Sequence, residues 1–320
     1  MTTTVALVSA RAARGLDEDM PPLLAAFAAA AVRAEIVDWD DPAVDWARFD
    51  IALLRSAWDY AERRSEFLAW VEHTAARTAL FNPVQVVRWN SDKHYLRDLA
   101  RGGLPVVATS YAESADQAPQ VLADFLARHD ARELVVKPAI GAGARGARRH
   151  DRAATAETLA HMQSLLAAGR SVMLQPYLAE VDLHGESALM FIDGRFSHAI
   201  RKGPLLPAGA AATAGLFASE DISRRVPGAD ELAVAERVMA HLPFGALLYG
   251  RIDLVRDAAG RPCVLELELT EPSLYFAYEA AAAARFVSAV LSRLSPEHIP
   301  DARPGHECPR LAEDRTKRTR

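Results

Sequence analysis

The chain is poor in cysteine, in surplus positive charge and in long apolar runs, and each shortage closes off a class of function. Only two cysteines occur in 320 residues, Cys263 and Cys308, far apart and without C-x-x-C spacing. That argues against a disulfide framework or a cysteine-based zinc site, and makes a reducing cytoplasm the expected setting. The 37 Lys and Arg stand against 42 Asp and Glu, a net charge of −5. No basic excess is available to neutralise the phosphates of a nucleic acid, so none is expected as a partner. The longest early apolar stretch, Met20 to Val32, is Ala-rich and follows the acidic Asp17-Glu18-Asp19. It is shorter than the ~20 residues of a membrane span, and its acidic lead-in is wrong for a signal peptide. No membrane association is expected. The first strand is followed by no G-x-G-x-x-G, and no G-K-[ST] of a Walker A loop occurs.

What is present is the composition of a folded protein, half of it hydrophobic and a quarter charged. Val5 to Ser9, Glu35 to Asp38 and Ile51 to Leu54 read as buried strands around an Ala-rich helix over Met20 to Val32, a pattern that predicts an α/β lobe with a parallel, doubly wound sheet. Phe81-Asn-Pro83 punctuates the chain near a lobe boundary. A helix over Lys93 to Arg101, strands at Leu134 to Lys137 and Val172 to Gln175, and a hairpin around Asp193-Gly194 follow. Gly203 to Ser219 carries no charge, is broken by Gly and Pro, and reads as a loop. Pro309 to Arg320 is polar and largely basic and reads as a disordered tail.

The most informative stretch is Tyr249-Gly-Arg-Ile-Asp-Leu-Val255, a turn at Asp257-Ala-Ala-Gly-Arg261, and Cys263-Val-Leu-Glu-Leu-Glu-Leu-Thr270. Alternation puts Tyr249, Arg251, Asp253 and Val255 on one face of the first strand, and Val264, Glu266, Glu268 and Thr270 on one face of the second. Pairing across the turn brings Asp253 beside Glu266, against an apolar reverse side of Cys263, Leu265, Leu267 and Leu269. Converging carboxylates repel unless a cation joins them. Oxygen-only donors select hard magnesium or manganese.

Lys137 ends a strand and runs into Pro138-Ala-Ile-Gly141-Ala-Gly143-Ala-Arg-Gly146, a loop whose glycines let backbone N–H groups approach a phosphate. Lys93 in Asn-Ser-Asp-Lys and the strand end Gln175-Pro-Tyr-Leu178 add to it. In the order Lys93, Lys137 with its glycine loop, Gln175 to Leu178, Gly185-Glu186, Arg251-x-Asp253 and Glu266-x-Glu268, the sequence resembles the ATP-grasp superfamily over nearly its whole length to about residue 300. Arg55-Ser-Ala-Trp-Asp-Tyr60 and Phe196-Ser-His-Ala-Ile-Arg-Lys202 are similar to its glutathione-synthetase-like actinobacterial group.

The resemblance implies an α/β ATP-grasp fold with a Rossmann-like pre-grasp domain over 1–90, grasp subdomains over 91–185 and 186–300, and a tail over 301–320. It implies ATP as cofactor, with Lys93, Lys137, Gly141 and Gly143 at its phosphates. Gln175, Pro176, Tyr177 and Leu178 would lie at adenine, and Glu186 (or, second, Asp182) at ribose. Asp253, Glu266 and Glu268 would hold two magnesium ions, with manganese as a substitute, although the usual E-x-N is here Glu266-Leu-Glu268. Arg251 and Lys202 are the expected catalytic groups at an acyl phosphate. Arg55, placed after the strand Ile51 to Leu54, and Trp58 are expected together with Arg251 at a small amino-acid substrate, Arg55 otherwise forming a salt bridge with Trp58 in the core. The implied chemistry is ADP-forming C–N ligation, with ring closure of O-ureido-D-serine to D-cycloserine, a step of antibiotic biosynthesis, as its favoured form. An intermolecular carboxylate–amine ligase and a non-catalytic nucleotide-binding protein are the alternatives. Dimers are usual in the family, so a second copy of the chain is the expected protein partner.

Overall fold

In the computed structural model, which describes residues 3–206, 216 and 220–294, the early apolar runs form β1 (Thr4–Ser9), β2 (Arg33–Asp38), β3 (Ile51–Ser56) and β4 (Ala79–Phe81). They pair in parallel in the order β2-β1-β3-β4. Alternation along β1 and β3 sends Val5, Leu7, Ile51 and Leu53 to one face and Ala6, Val8, Ala52 and Leu54 to the other. Both faces are buried, as a parallel sheet requires. The first is covered by α1 (Met20–Ala29) through Leu23 and Phe27, the second by α2 (Arg64–Ala75) through Phe67 and Val71. The α1 helix stops short of Val32 because Ala31 turns left-handed, with φ 56°.

Two short helices, α3 (Val84–Asn90) and α4 (Tyr95–Arg101), lead to a second lobe. Its strands β5 (Ser110–Ala112), β6 (Glu133–Pro138), β7 (Arg148–Asp151) and β8 (Val172–Pro176) pair antiparallel in the order β5-β8-β6-β7. The helices α5 (Ala118–Arg128) and α6 (Thr155–Ala167) back this sheet through Leu122, Phe125 and Met162. The glycine loop joins β6 to β7.

After α7 (Glu180–His184) comes an antiparallel sheet of β9 (Glu186–Ile192), β10 (Arg195–Lys202), β11 (Ile222–Arg225), β12 (Tyr249–Arg256) and β13 (Pro262–Glu268), ordered β11-β10-β9-β12-β13. The predicted hairpin is β9–β10, and Asp193 and Gly194 at its tip both have positive φ (52° and 72°), as a type I′ turn requires. One face packs on α8 (Ala229–His241) through Val234, Ala235 and Val238. The last helix, α9 (Ala282–Ser292), returns to the first lobe, where Phe286, Val287 and Val290 join Leu23, Phe27, Val5 and Ile51. Two buried asparagines tie the lobes together. Asn82 Nδ2 donates to the carbonyls of Tyr249 (2.9 Å) and Leu269 (2.8 Å), and Asn90 Nδ2 to that of Leu267 (2.7 Å). Most of the loop expected over Gly203 to Ser219, as well as Cys308 and the tail over 301–320, lies outside the described residues. Among the described residues no helix is long and apolar enough to cross a membrane.

Candidate active site

The hairpin β12–β13 pairs Arg251 with Glu268 and Asp253 with Glu266, the register expected from alternation. Past Asp253 the register shifts, so that Leu254 faces Val264 and Leu265 is the extra residue of a β-bulge. This corrects the expected faces of the second strand. Val264 does not share the carboxylate face; it is buried in the core with Leu254 and Leu267. Leu265, expected on the reverse side, lines a chamber of about 650 Å³ where the three lobes meet, together with Glu266 and Glu268.

One end of the chamber is a lattice of opposite charges. Asp253 is 2% exposed and accepts from Arg251 Nε (2.8 Å), Arg251 Nη2 (3.1 Å) and Lys202 Nζ (2.6 Å). Arg251 also pairs with Glu268, and its Nη1 donates to the Ser273 carbonyl at 3.1 Å. Lys93 Nζ lies 3.0 Å from Glu266 Oε1 and donates to the Gly141 carbonyl at 2.6 Å. Burial opposes charge on Asp253, yet Arg251 and Lys202 hold its carboxyl down at about 2. Burial likewise opposes charge on Glu266 and Lys93, and their mutual attraction keeps both ionised. For Lys137 burial wins and the ammonium is lowered, Glu266 pulling the other way. Glu186 is pushed up to about 7 by burial against the pull of Lys202.

A metal would have to enter this lattice. Among the described residues no three carboxylates, imidazoles or thiols already converge on one point at coordination distance. The donor chemistry nevertheless fits a hard divalent cation, because Asp253, Glu266 and Glu268 face one chamber with oxygen only. The second oxygens of Glu266 and Glu268 have no protein partner among the described residues.

The remaining expected residues fall around this end as follows. Lys137, Gly141, Gly143, Gln175, Pro176, Tyr177, Leu178 and Glu186 all line the chamber. Left-handed φ at Gly143 (62°), Ala144 (60°) and Gly146 (71°) bends the loop into a shape that turns successive N–H groups together. Gln175 Nε2 is held by Thr109 Oγ1 at 2.9 Å. Asp182, the second candidate for ribose, does not line the chamber; its carboxylate is engaged by the Tyr177 hydroxyl (2.5 Å) and Arg149. Lys202 is 3% exposed and lines the chamber beside Asp253. Ser197 and His198 are structural, the imidazole Nε2 lying 2.8 Å from the Leu274 carbonyl.

Trp58 also lines the chamber, and its Nε1 donates to the Glu271 carbonyl at 3.3 Å. Arg55 does not line it. The strand β3 runs through Ser56 rather than ending at Leu54, so Arg55 lies within it, completely buried. Its Nη2 donates to the Pro272 carbonyl (2.8 Å) and lies 3.5 Å from Asp19 Oδ2. Sequence reasoning passed over Asp19, whose carboxylate accepts the backbone N–H groups of Leu274 (2.5 Å), Tyr275 (3.1 Å) and Phe276 (2.7 Å). These partners lie more than 250 residues away, and no local pattern marks them.

The N-terminal domain model of D-cycloserine synthetase DcsG matches residues 5–82. The cycloserine biosynthesis protein DcsG of Streptomyces lavendulae is 43% identical over 299 residues, which cover 91% of this chain and 99% of that protein. The crystal structure of D-cycloserine synthetase DcsG superposes with a TM-score of 0.84 at 41% identity, covering 91% of this chain and 99% of the other. A RimK domain ATP-grasp protein from Sphaerobacter thermophilus shares the fold alone, with a TM-score of 0.64 at 17% identity over 89% of this chain and 98% of the other.

Proposed function

The chain belongs to the family of D-cycloserine synthetase DcsG, and on that premise we propose that it is an ATP- and magnesium-dependent ligase that closes O-ureido-D-serine on itself to give D-cycloserine. The observation that carries this reading is the lattice at β12–β13, where buried Arg251, Lys202 and Asp253 share a chamber with Glu266, Glu268 and Lys93. Phosphoryl transfer needs alignment and neutralised charge more than covalent help, and this end supplies both.

The substrate carboxylate attacks the γ-phosphorus of ATP, and ADP leaves. The substrate nitrogen bonded to oxygen then attacks the acyl carbon, phosphate leaves and the ring closes. Water releases the carbamoyl group as carbon dioxide and ammonia. Lys93, Lys137 and the N–H groups of the loop at Gly141 and Gly143 bind the phosphates, while Glu186 takes the ribose. Adenine lies against Gln175, Pro176, Tyr177 and Leu178, over the apolar floor that Leu265 provides. Asp253, Glu266 and Glu268 are the residues that would hold two magnesium ions, with manganese able to replace them. Bound there, the ions would neutralise the transferring phosphoryl group. Arg251 and Lys202 steady the acyl phosphate, and Trp58 walls the amino acid. Arg55 acts from behind that wall, through Pro272. The working unit is a homodimer in the cytoplasm.

The test is ADP release from Mg·ATP with O-ureido-D-serine alone, followed by product mass. ADP and D-cycloserine from the single acid are expected. ADP only when a second amine is added would replace ring closure by intermolecular ligation.

A further inference from the structure

Of the acids on the strand pair and the turn that follows it, Asp253, Glu266 and Glu268 are matched by a protein cation and Glu271 is not. Glu271 is 7% exposed and lines the chamber, and its carboxylate has no hydrogen-bond or ion-pair partner among the described residues. The backbone around it is fixed from the first lobe. Trp58 Nε1 donates to its own carbonyl and Arg55 to that of Pro272, while Asp19 holds the N–H groups of the next turn. The carboxylate therefore stands at the joint between the Trp58 wall and the charge lattice.

A buried carboxylate without a partner is costly, and a site that keeps one gains most from a ligand bearing positive charge. The nearest protein cations do not serve: Lys93 is bonded to Glu266, and Arg251 to Asp253 and Glu268. Burial, with Glu268 beside it, pushes the Glu271 carboxyl well above its ordinary range in the free protein, a state that an arriving ammonium reverses. An α-amino acid carries its ammonium on the carbon next to its carboxylate. A substrate with its carboxylate at Arg251 can place its ammonium on the Trp58 side, where Glu271 lies.

Resting on the reading of the chain as a ligase for an amino acid, we propose that Glu271 is the receptor for the α-ammonium of that substrate. It sets the requirement for an amino acid and, by fixing which wall takes the ammonium, the preferred hand at the α-carbon.

The test compares wild type with Glu271→Gln on two acids, O-ureido-D-serine and its analogue lacking the α-amino group, 3-(ureidooxy)propanoate. Turnover of O-ureido-D-serine by wild type is required first; its absence would overturn the ring-closure reading and leave the Glu271 comparison to be made on whichever amino acid releases ADP. For Glu271→Gln, KM for the amino acid is expected to rise about thirtyfold, the scale of a hydrogen bond to a charged group, with KM for ATP unchanged. The analogue is expected to be a similarly poor substrate for both proteins, since the group that Glu271 binds is missing. Because wild type alone already discriminates between the two acids, the test survives a variant that folds badly. An equal loss on both acids, a fall in kcat at unchanged KM, or a raised magnesium requirement would overturn the assignment.

Discussion

The two ends of the chamber solve the same problem, buried carboxylates, in opposite ways. Along β12–β13 three acids each have a permanent base: Asp253 has Arg251 and Lys202, Glu266 has Lys93, and Glu268 has Arg251. At the amino-acid end, Asp19 spends its charge on backbone N–H groups, and Glu271 faces the chamber with none. The first arrangement is preorganised, with charges fixed before the reactants arrive. The second leaves the charge of Glu271 for the substrate to match, and so selects what binds.

The comparison breaks most sharply at Asp253. Asp253→Asn leaves Lys202 without its ion-pair partner and Arg251 with Glu268 alone. Turnover should fall on the order of a thousandfold, as expected from losing several kcal/mol of charge stabilisation, and stability by roughly 3–5 kcal/mol. Steady-state rates and urea unfolding measure the two; retention of most activity would mean that this lattice is scaffolding only. At the other end Arg55→Ala should cost roughly 3 kcal/mol, because it leaves a hole and a loosened Asp19. It should raise KM for the amino acid about tenfold through the slackened segment 271–276. An effect confined to ATP would contradict the division into ends. The smallest effects separate the two residues at the bulge. Val264→Ala should lower stability by about 2 kcal/mol with kinetics intact, whereas Leu265→Ala should cost less than about 1 kcal/mol and weaken ATP a few-fold. The reverse pattern would mean that the bulge does not turn Leu265 toward the nucleotide.

The pairing of the carboxylate hairpin was legible in the sequence because it is local. Strict alternation around Asp257-Ala-Ala-Gly-Arg261 leaves one register that keeps Leu267 and Leu269 buried, and that register sets Asp253 against Glu266. The bulge was not legible, since Val264 and Leu265 are equally apolar and only the packed core chooses between them. The amino-acid end was hidden for a different reason. Arg55 reads as a residue just past a strand, but β3 carries it inside, and its partners Asp19 and Pro272 are brought together by tertiary structure alone. Glu271 is visible in Leu-Glu-Leu-Glu-Leu-Thr-Glu, yet nothing in that run distinguishes it from its neighbours. Its distinction is to lack a partner.

The return of α9 to the first lobe has a consequence for how the protein is made. The sheet face bearing Val5, Leu7, Ile51 and Leu53 is among the first parts to leave the ribosome, and Phe286, Val287 and Val290, which help to cover it, are among the last. During synthesis that face stays partly bare while some two hundred further residues are added, so the nascent chain needs a chaperone or α1 alone to shield it. A chain cut before α9 would leave that face uncovered and be prone to aggregate through it.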